Sequence, residues 1–142
     1  MGVDLIKRFE GFSPAPYVCP GGHETIGYGH VIRDREIWDT IDEQTATLLL
    51  MQDIAVAESA VSRLITVHLV DCQFDALVSF AYNVGSGALQ RSTLRRKANR
   101  GDHQLVPREL MRWVKAGGRR MLGLVRRRRA EGKLYEEGKL WI

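Results

Sequence analysis

The sequence has few cysteines, no long apolar run and no segment of low complexity. Its apolar stretches fall short of the roughly 18 residues that a membrane-spanning helix needs, so we predict no such helix. The two cysteines, Cys19 and Cys72, are too few for a disulfide framework, and their spacing fits no zinc motif. We expect both to be free thiols. The first residues also lack a secretory signal, so we expect either export assisted by another protein or an export segment upstream of this sequence.

Charge is distributed unevenly around the net value of +4. Residues 34–58 hold seven acids and one arginine, whereas the segment between Glu109 and Glu131 holds eight basic residues and no acid. A basic half predicts an anionic partner. Nucleic acid, lipid head groups and bacterial cell-wall polymer all satisfy this requirement, and charge does not choose among them.

Apolar periodicity predicts a mostly helical α+β domain of 142 residues with one small antiparallel sheet. The sheet lobe is expected at about 12–40, a connecting helix at about 41–64, and a helical lobe at about 65–142 that also includes the N-terminal helix. We predict strands at Tyr17-Val18 and over 25–32, on either side of a Pro-Gly-Gly turn. The predicted helices span residues 3–10, 41–64, 71–84, 92–100, 106–117 and 119–137, the last ending at Gly138.

Two helix starts carry specific capping signals. Thr40 and Glu43 have the spacing of a capping box, in which each side chain bonds the backbone N–H of the other residue. Asp71 is the predicted N-cap of the helix over 71–84, which we interpret as the central core helix.

The run Arg126–Arg129 cannot lie entirely on a solvent-exposed face, because four consecutive residues cover roughly 300° of a helix. Arg128 falls on the apolar stripe and Arg127 falls off it. A buried guanidinium needs a carboxylate or carbonyl partner, and Glu10 is one candidate. Arg126 and Arg129 are expected to be solvated. The apolar stripe comprises Met121, Val125, Gly132 and Tyr135.

The stretch over residues 10–30 is rich in proline and glycine, which suits loops and short strands that line a cleft. Glu10 precedes Cys19 by nine residues, and Thr25 follows six residues later. This order makes chemical sense for a glycosidase, in which Glu10 donates a proton while Cys19 and Thr25 hold a water. A surface glutamate before a loop explains the same spacing.

Six sequence blocks together resemble the phage-type lysozymes, or endolysins, and they occur in the order found in that family over nearly the whole chain. They are Phe9-Glu-Gly-Phe12, Thr25-Ile-Gly-Tyr-Gly-His30, Phe74-Asp-Ala-Leu-Val-Ser-Phe-Ala-Tyr-Asn-Val-Gly85, Ser92-Thr-Leu94, Arg112-Trp113 and Ala116-Gly-Gly-Arg-Arg-Met-Leu-Gly-Leu-Val-Arg-Arg-Arg-Arg-Ala-Glu131.

The resemblance implies a muramidase that hydrolyses the β-1,4 bond between N-acetylmuramic acid and N-acetylglucosamine in peptidoglycan during host lysis. We expect inversion, because the water held by Thr25 and Cys19 would attack from the side opposite to Glu10. It implies no metal or organic cofactor. The expected partners are peptidoglycan and an anionic outer-membrane polymer, with neither nucleic acid nor a stable membrane span, and we expect a monomer. Such a protein accumulates in the host cytoplasm and acts on the wall in the periplasm after release.

The family pattern is a glutamate, eight residues, an aspartate or cysteine, five residues, and a threonine. Glu10, Cys19 and Thr25 match this pattern. Because a thiol is mostly neutral at pH 7, Cys19 is a weak general base unless its pKa is lowered. It therefore acts as a base, positions water, or forms a thiolate if Arg127 or Arg128 lies close.

Other residues match family positions, each with a structural alternative. The resemblance implies sugar contacts by Tyr28, Val31, Tyr82 and Thr93. The alternatives are that a strand simply needs the glycines that flank Tyr28, that Tyr82 is a core aromatic, and that Thr93 caps a helix.

A second set of matches is structural in character. His30 is expected to pair with Asp53 on the long helix. One arginine of the pair Arg127 and Arg128 is expected to hold Glu10 from behind. Trp113 is interpreted as a core residue, and Cys72 is not expected to take part in function.

Two other functions fit parts of the sequence. Cys19 keeps open a non-catalytic glycan-binding or scaffold module with the lysozyme shape. The arginine run by itself favours a basic nucleic-acid binder, which salt-sensitive DNA retention would test.

Overall fold

The computed structural model describes residues 2–137, which form a sheet lobe and a helical lobe connected by one long helix. We label the elements in chain order. The helices are α1 (Gly2–Glu10), α2 (Glu43–Leu64), α3 (Asp71–Val84), α4 (Ser86–Arg91), α5 (Thr93–Asn99), α6 (Val106–Leu110) and α7 (Leu122–Glu137), with a 3-10 turn at His103–Leu105. The strands are β1 (Ser13–Val18), β2 (Glu24–Gly27), β3 (His30–Val31), β4 (Lys115–Ala116) and β5 (Arg119–Arg120).

The sheet lobe is a three-stranded antiparallel sheet in the order β1-β2-β3. Tyr17 pairs with Thr25 across β1 and β2, and Ile26 pairs with His30 across β2 and β3. The single strand predicted over 25–32 is therefore wrong. Gly27 and Gly29 have φ values of +67° and +82°, which L side chains rarely adopt, and this allows the chain to reverse between β2 and β3.

The connecting helix α2 begins two residues later than predicted, and its capping box is wrong. The Asp42 carboxylate, rather than Thr40, accepts a hydrogen bond from the Thr45 N–H at 2.8 Å. The Ile41 N–H instead donates to the Pro14 carbonyl at 2.9 Å, so residues just before the helix follow the edge of the sheet. The predicted apolar stripe is confirmed by the buried residues Ala46, Leu50, Ile54, Ala57, Val61 and Leu64.

Helix α3 lies at the centre of the helical lobe, as predicted, in contact with α1, α2, α4 and α7. Leu77 and Phe80 are fully buried on it. The residue that precedes its first turn, and therefore its N-cap, is Val70 rather than Asp71. The Gln73 side chain accepts a hydrogen bond from the Val70 N–H at 3.0 Å and so satisfies this end of the helix. Asp71 is the first residue of the helix.

The C-terminal third differs most from the prediction. The helix predicted over 106–117 ends at Leu110, and the helix predicted over 119–137 begins at Leu122. Between them, β4 and β5 form a second, two-stranded sheet, so the prediction of one sheet is wrong. Gly117 and Gly118 both have positive φ, which is the backbone requirement of a tight hairpin turn.

Helix α5 and the end of α7 also correspond to predicted elements. The helix predicted over 92–100 is α5, and Ser92 caps it by accepting from the Arg95 N–H at 3.0 Å. Gly138, the predicted stop of the last helix, lies outside the described residues. Among residues 2–137, no helix has both the length and the apolar character needed to cross a bilayer. The mostly helical α+β class is confirmed.

Candidate active site

A cleft of about 790 Å³ contains the predicted catalytic residues. Its lining comes from the end of α1, the three-stranded sheet, the end of α3, the β4–β5 hairpin and α7. The lining includes Glu10, Cys19, Thr25, Tyr82 and Arg127. The fold therefore brings together residues that are as far apart as α1 and α7 in the chain.

The sheet places Cys19 and Thr25 on one face. Because Tyr17 pairs with Thr25 and side chains alternate along a strand, Tyr17 and Cys19 share a face with His23 and Thr25. All four residues line the cleft. The turn is closed by the Cys19 N–H, which donates to the His23 carbonyl at 2.9 Å, and by the Gly22 N–H, which donates to the Cys19 carbonyl at 2.8 Å. The six-residue spacing thus corresponds to a hairpin.

The pKa of the Cys19 thiol is lowered from its ordinary value, which favours the ionised form. Partial burial by itself raises its pKa, but hydrogen bonds from the His23 backbone and the Thr25 side chain outweigh burial and lower it. The buried Thr25 hydroxyl also donates to the His23 carbonyl at 2.9 Å. Because the Thr25 hydroxyl has a single proton, it can donate a hydrogen bond either to the His23 carbonyl or to a Cys19 thiolate.

Glu10 is the last residue of α1, and its side chain is 17% exposed. On one side it accepts a hydrogen bond from Arg127 Nη1 at 2.5 Å. On another side the backbone of Gly29 approaches so closely that a Cβ there would lie 2.5 Å from Glu10 Oε1. The carboxylate is thus held between an arginine and a glycine, with part of its surface open to the cleft.

Arg127, rather than Arg128, is the partner of Glu10, and the prediction that Arg127 lies off the buried face is wrong. Its guanidinium also donates to Glu131 Oε2 at 3.2 Å and to the Ser79 carbonyl at 3.1 Å. Arg127 is 3% exposed. The error arises because α7 packs against both α3 and α6, so its buried arc is wider than one apolar stripe.

Arg128 is buried, as predicted, and it borders the cleft, but its hydrogen bonds go to residues other than Glu10. It donates to Glu131 Oε1 at 2.5 Å and to the Trp113 carbonyl at 3.0 Å, and its third hydrogen bond goes to Asn83 Oδ1. Burial lowers the pKa of Arg128, and the neighbouring Glu131 carboxylate opposes this change. The solvated positions predicted for Arg126 and Arg129 are confirmed.

His30 pairs with Asp53, as predicted, at 2.7 Å between Nδ1 and Oδ2. Its other ring nitrogen lies 2.7 Å from Glu36 Oε2, which also accepts a hydrogen bond from Trp38 Nε1. Burial of the ring opposes its charged form, but hydrogen bonds to Glu36 and Asp53 outweigh burial and raise the pKa of His30. The imidazole therefore ties β3 to α2 and lies outside the cleft lining.

The predicted sugar contacts fall into two groups. Val31 and Tyr82 line the cleft. Tyr28 is 8% exposed, and its ring packs against Phe12 in the core rather than forming the floor of the cleft. Thr93 also lies outside the lining, where its hydroxyl accepts from Arg96 Nη2 at 3.0 Å.

Tyr82 is fixed in the cleft wall by the main chain of the sheet lobe. Its hydroxyl donates to the Tyr28 carbonyl at 2.7 Å. Burial raises the pKa of Tyr82 well above its ordinary value, with nearby carboxylates adding to the effect, so the hydroxyl stays a donor. Trp113 packs edge-on against Phe80, as expected for a core residue, and one part of it also lines the cleft.

Sequence reasoning missed three features of the site: the roles of Glu131 and Ser79, and the close approach of Gly29 to Glu10. Glu131 is fully buried between the two arginines and accepts a hydrogen bond from the Ser79 hydroxyl at 2.5 Å. A signal for Glu131 was present, because it lies four residues after Arg127 and three after Arg128 on one helix. No local pattern pointed to Ser79 or to the contact of Gly29 with Glu10.

Comparison with known proteins agrees with this architecture. The family model described as "Phage lysozyme" matches residues 7–131. The endolysin of Bacillus phage B103 is 43% identical over 139 residues, which cover 96% of this chain and 53% of that protein. The chain thus spans about half the length of that relative.

Two further similarities extend over nearly full lengths on both sides. The endolysin of Acyrthosiphon pisum secondary endosymbiont phage 1 is 40% identical over 139 residues, with 95% of this chain and 94% of that protein covered. The solved muramidase domain of SpmX from Asticaccaulis excentricus matches with a TM-score of 0.85 at 35% identity, over 94% of this chain and 93% of that one. Because the family model covers residues 7–131 and a relative is 40% identical over 94% of its own length, the chain belongs to the phage lysozyme family.

Proposed function

We propose that this chain is a muramidase that hydrolyses the β-1,4 bond between N-acetylmuramic acid and N-acetylglucosamine in bacterial peptidoglycan, with inversion at the anomeric carbon. The observation that carries the proposal is the position of Glu10, held by Arg127 and partly exposed in the cleft that Cys19 and Thr25 also line. Membership in the phage lysozyme family supports the reaction class.

Glu10 is the general acid in this mechanism. Its proton passes to the glycosidic oxygen as the bond to the anomeric carbon breaks. Arg127 donates to Glu10 Oε2, and Gly29 contacts the other oxygen, so the carboxyl group enters the reaction in one orientation. A fixed orientation lowers the entropic part of the barrier.

The attacking water is held by Cys19 and Thr25. The water oxygen bonds to the anomeric carbon, and its proton passes to the Cys19 thiolate, whose pKa is lowered by its hydrogen bonds. Thr25 orients the water through its hydroxyl. Attack from the face opposite to the leaving oxygen inverts the configuration.

Replacing Glu10 tests the acid directly. We expect Glu10→Gln to reduce the rate of turbidity loss of chloroform-treated Gram-negative cells by about 10²-fold to 10⁴-fold, the usual contribution of a general acid. Asp4→Asn is the matched control, because it removes the same charge from an exposed position of the same helix. Wild-type rates in Glu10→Gln would refute the mechanism.

The bond and the stereochemistry need separate measurements. Mass analysis of wall fragments should find N-acetylmuramic acid at the new reducing ends. Proton NMR of the first product should detect the α anomer. Retained β configuration would overturn inversion, and 1,6-anhydro products would indicate a transglycosylase.

The biological setting belongs to the same proposal. We infer that the protein is a monomer that accumulates in the host cytoplasm and acts on the wall in the periplasm during lysis. The alternative of a non-catalytic glycan-binding module predicts binding to wall fragments with no new reducing ends, in the wild type and in Glu10→Gln alike.

A further inference from the structure

The β4–β5 hairpin lies at the edge of the cleft and carries three exposed cations, Lys115, Arg119 and Arg120. Lys115 and Ala116 belong to the lining that also contains Glu10. The catalytic scheme does not use these cations. A ligand that extends from a strand bound in the cleft can therefore reach them.

The acids nearest to the hairpin in sequence are already committed to other partners. Glu109 bonds Lys97 at 2.8 Å and Arg112 at 3.1 Å. Glu131 is enclosed by its two arginines. Within residues 2–137, no salt bridge joins an acid to a cation of the hairpin. Among residues 2–137, the three cations at this edge therefore have no ion-pair partner.

The strand register places two of these cations directly opposite each other. Lys115 pairs with Arg120, and the Met121 N–H donates to the Val114 carbonyl at 2.8 Å. Val114 and Met121 thus form a hydrogen-bonded pair. Because the two kinds of pair alternate along an antiparallel ladder, the adjacent pair of Lys115 and Arg120 is non-hydrogen-bonded, and facing side chains lie closest in such a pair. Like charges in this position destabilise a hairpin. An anion bound between the two side chains would remove that repulsion.

We propose that Lys115 and Arg120 bind the carboxylates of the peptide stem attached to the muramic acid next to the bond that is cut. The inference rests on the proposed muramidase function. The stem is covalently part of the bound strand and carries free carboxylates, which a guanidinium and an ammonium recognise through charge-assisted hydrogen bonds. Because Lys115 lines the cleft, it is placed for a ligand that is attached to the bound glycan strand. A lipid surface would have no reason to select the hairpin over the exposed arginines of α7.

The test compares two soluble substrates: uncrosslinked glycan strands that carry peptide stems, and the same strands stripped by an amidase. We expect wild type to prefer the stem-bearing strands in kcat/KM. The variant Lys115→Gln/Arg120→Gln should raise KM on these strands roughly threefold to tenfold, because exposed ion pairs contribute modestly. Its kcat should not change, and its KM on stripped strands should equal that of wild type.

The control is Arg126→Gln/Arg129→Gln, which removes the same charge from exposed positions of α7. It should keep the preference for stems. Equal kcat/KM of wild type on both substrates would overturn the inference and leave the muramidase intact. If the control raises KM on stem-bearing strands as much as Lys115→Gln/Arg120→Gln does, the loss of net charge explains the effect, and the inference is overturned. Failure of wild type to cleave either substrate would refute the proposed function, and the inference with it.

Discussion

Gly29 is the position at which a single methyl group should separate catalysis from stability. Its φ is +82°, and an added Cβ would lie 2.5 Å from Glu10 Oε1. Reaching the ordinary contact distance of 3.4 Å requires the carboxylate to move by roughly 1 Å. A displacement of that size can cost about 10²-fold in rate. We therefore expect Gly29→Ala to lower kcat about a hundredfold, or roughly 2.7 kcal/mol in the barrier.

The effect of Gly29→Ala on stability should be smaller than its effect on the barrier, and it should equal the effect of the same change at a glycine far from the cleft. The clashing atoms belong to the end of the Glu10 side chain rather than to the backbone, so the side chain, and not the fold, takes up the displacement. The remaining cost is that of an L residue in the left-handed region, about 1–2 kcal/mol in the free energy of unfolding. Gly101→Ala isolates this cost, because Gly101 has φ of +81° and nothing within 4 Å of the added Cβ.

The assay measures initial cleavage rates of soluble glycan strands and urea unfolding for both variants and wild type. Both alanine variants should lose similar stability, and only Gly29→Ala should lose activity. If Gly29→Ala keeps the wild-type kcat, the orientation of the Glu10 carboxylate does not limit the reaction. If Gly101→Ala loses as much activity, backbone strain rather than the Glu10 contact accounts for the loss.

Substitutions at Cys19, Asp53 and Glu131 test the base, the His30 ion pair and the buried arginine cluster. Cys19→Asp should remain active and shift the acidic limb of the pH–rate profile, which the ionisation of the general base sets, to lower pH, because a carboxylate ionises near pH 4 and a thiol far above it; Cys19→Ala should lose most activity. Asp53→Asn should destabilise the fold most below about pH 6.5, the pKa of an unfolded histidine. This is because the pKa of His30 is raised in the fold, so the ion pair contributes fully below that pH and is lost as pH rises through the folded pKa. Glu131→Gln should cost about 3 kcal/mol in the free energy of unfolding, because it leaves two buried arginines short of a carboxylate.

Each of these predictions has an outcome that contradicts it. Equal rates for Cys19→Ala and wild type would remove Cys19 from the mechanism. A stability loss in Asp53→Asn that does not vary between pH 5 and pH 9 would show that the charged form of His30 contributes nothing. Wild-type urea unfolding of Glu131→Gln would mean that the buried arginines are stabilised by carbonyl groups alone. Glu137→Gln, at an exposed position of the same helix, is the control for the loss of charge.

The local sequence pattern predicted burial correctly where a helix has one face against the core and one face in solvent. The stripe of α2 was predicted correctly because α2 packs one face against the core and exposes the other, which gives one regular apolar stripe. The family resemblance predicted the pairing of His30 with Asp53. Helical geometry predicted that Arg126 and Arg129 are exposed to solvent. Local pattern failed over residues 106–121, where apolar spacing resembles a helix but two consecutive glycines form a hairpin turn.

By itself, the sequence determined the fold class, the family and the order Glu10, Cys19 and Thr25, because helical period and motif spacing are properties of the chain alone. Only the tertiary structure decided that Arg127 holds Glu10, that Glu131 holds both arginines, and that Gly29 contacts the carboxylate. The physical reason is that these contacts join α1, the sheet and α7, whose relative positions depend on how α7 packs against α3 and α6. A helical wheel represents one helix and its face, whereas this site is built where several elements meet.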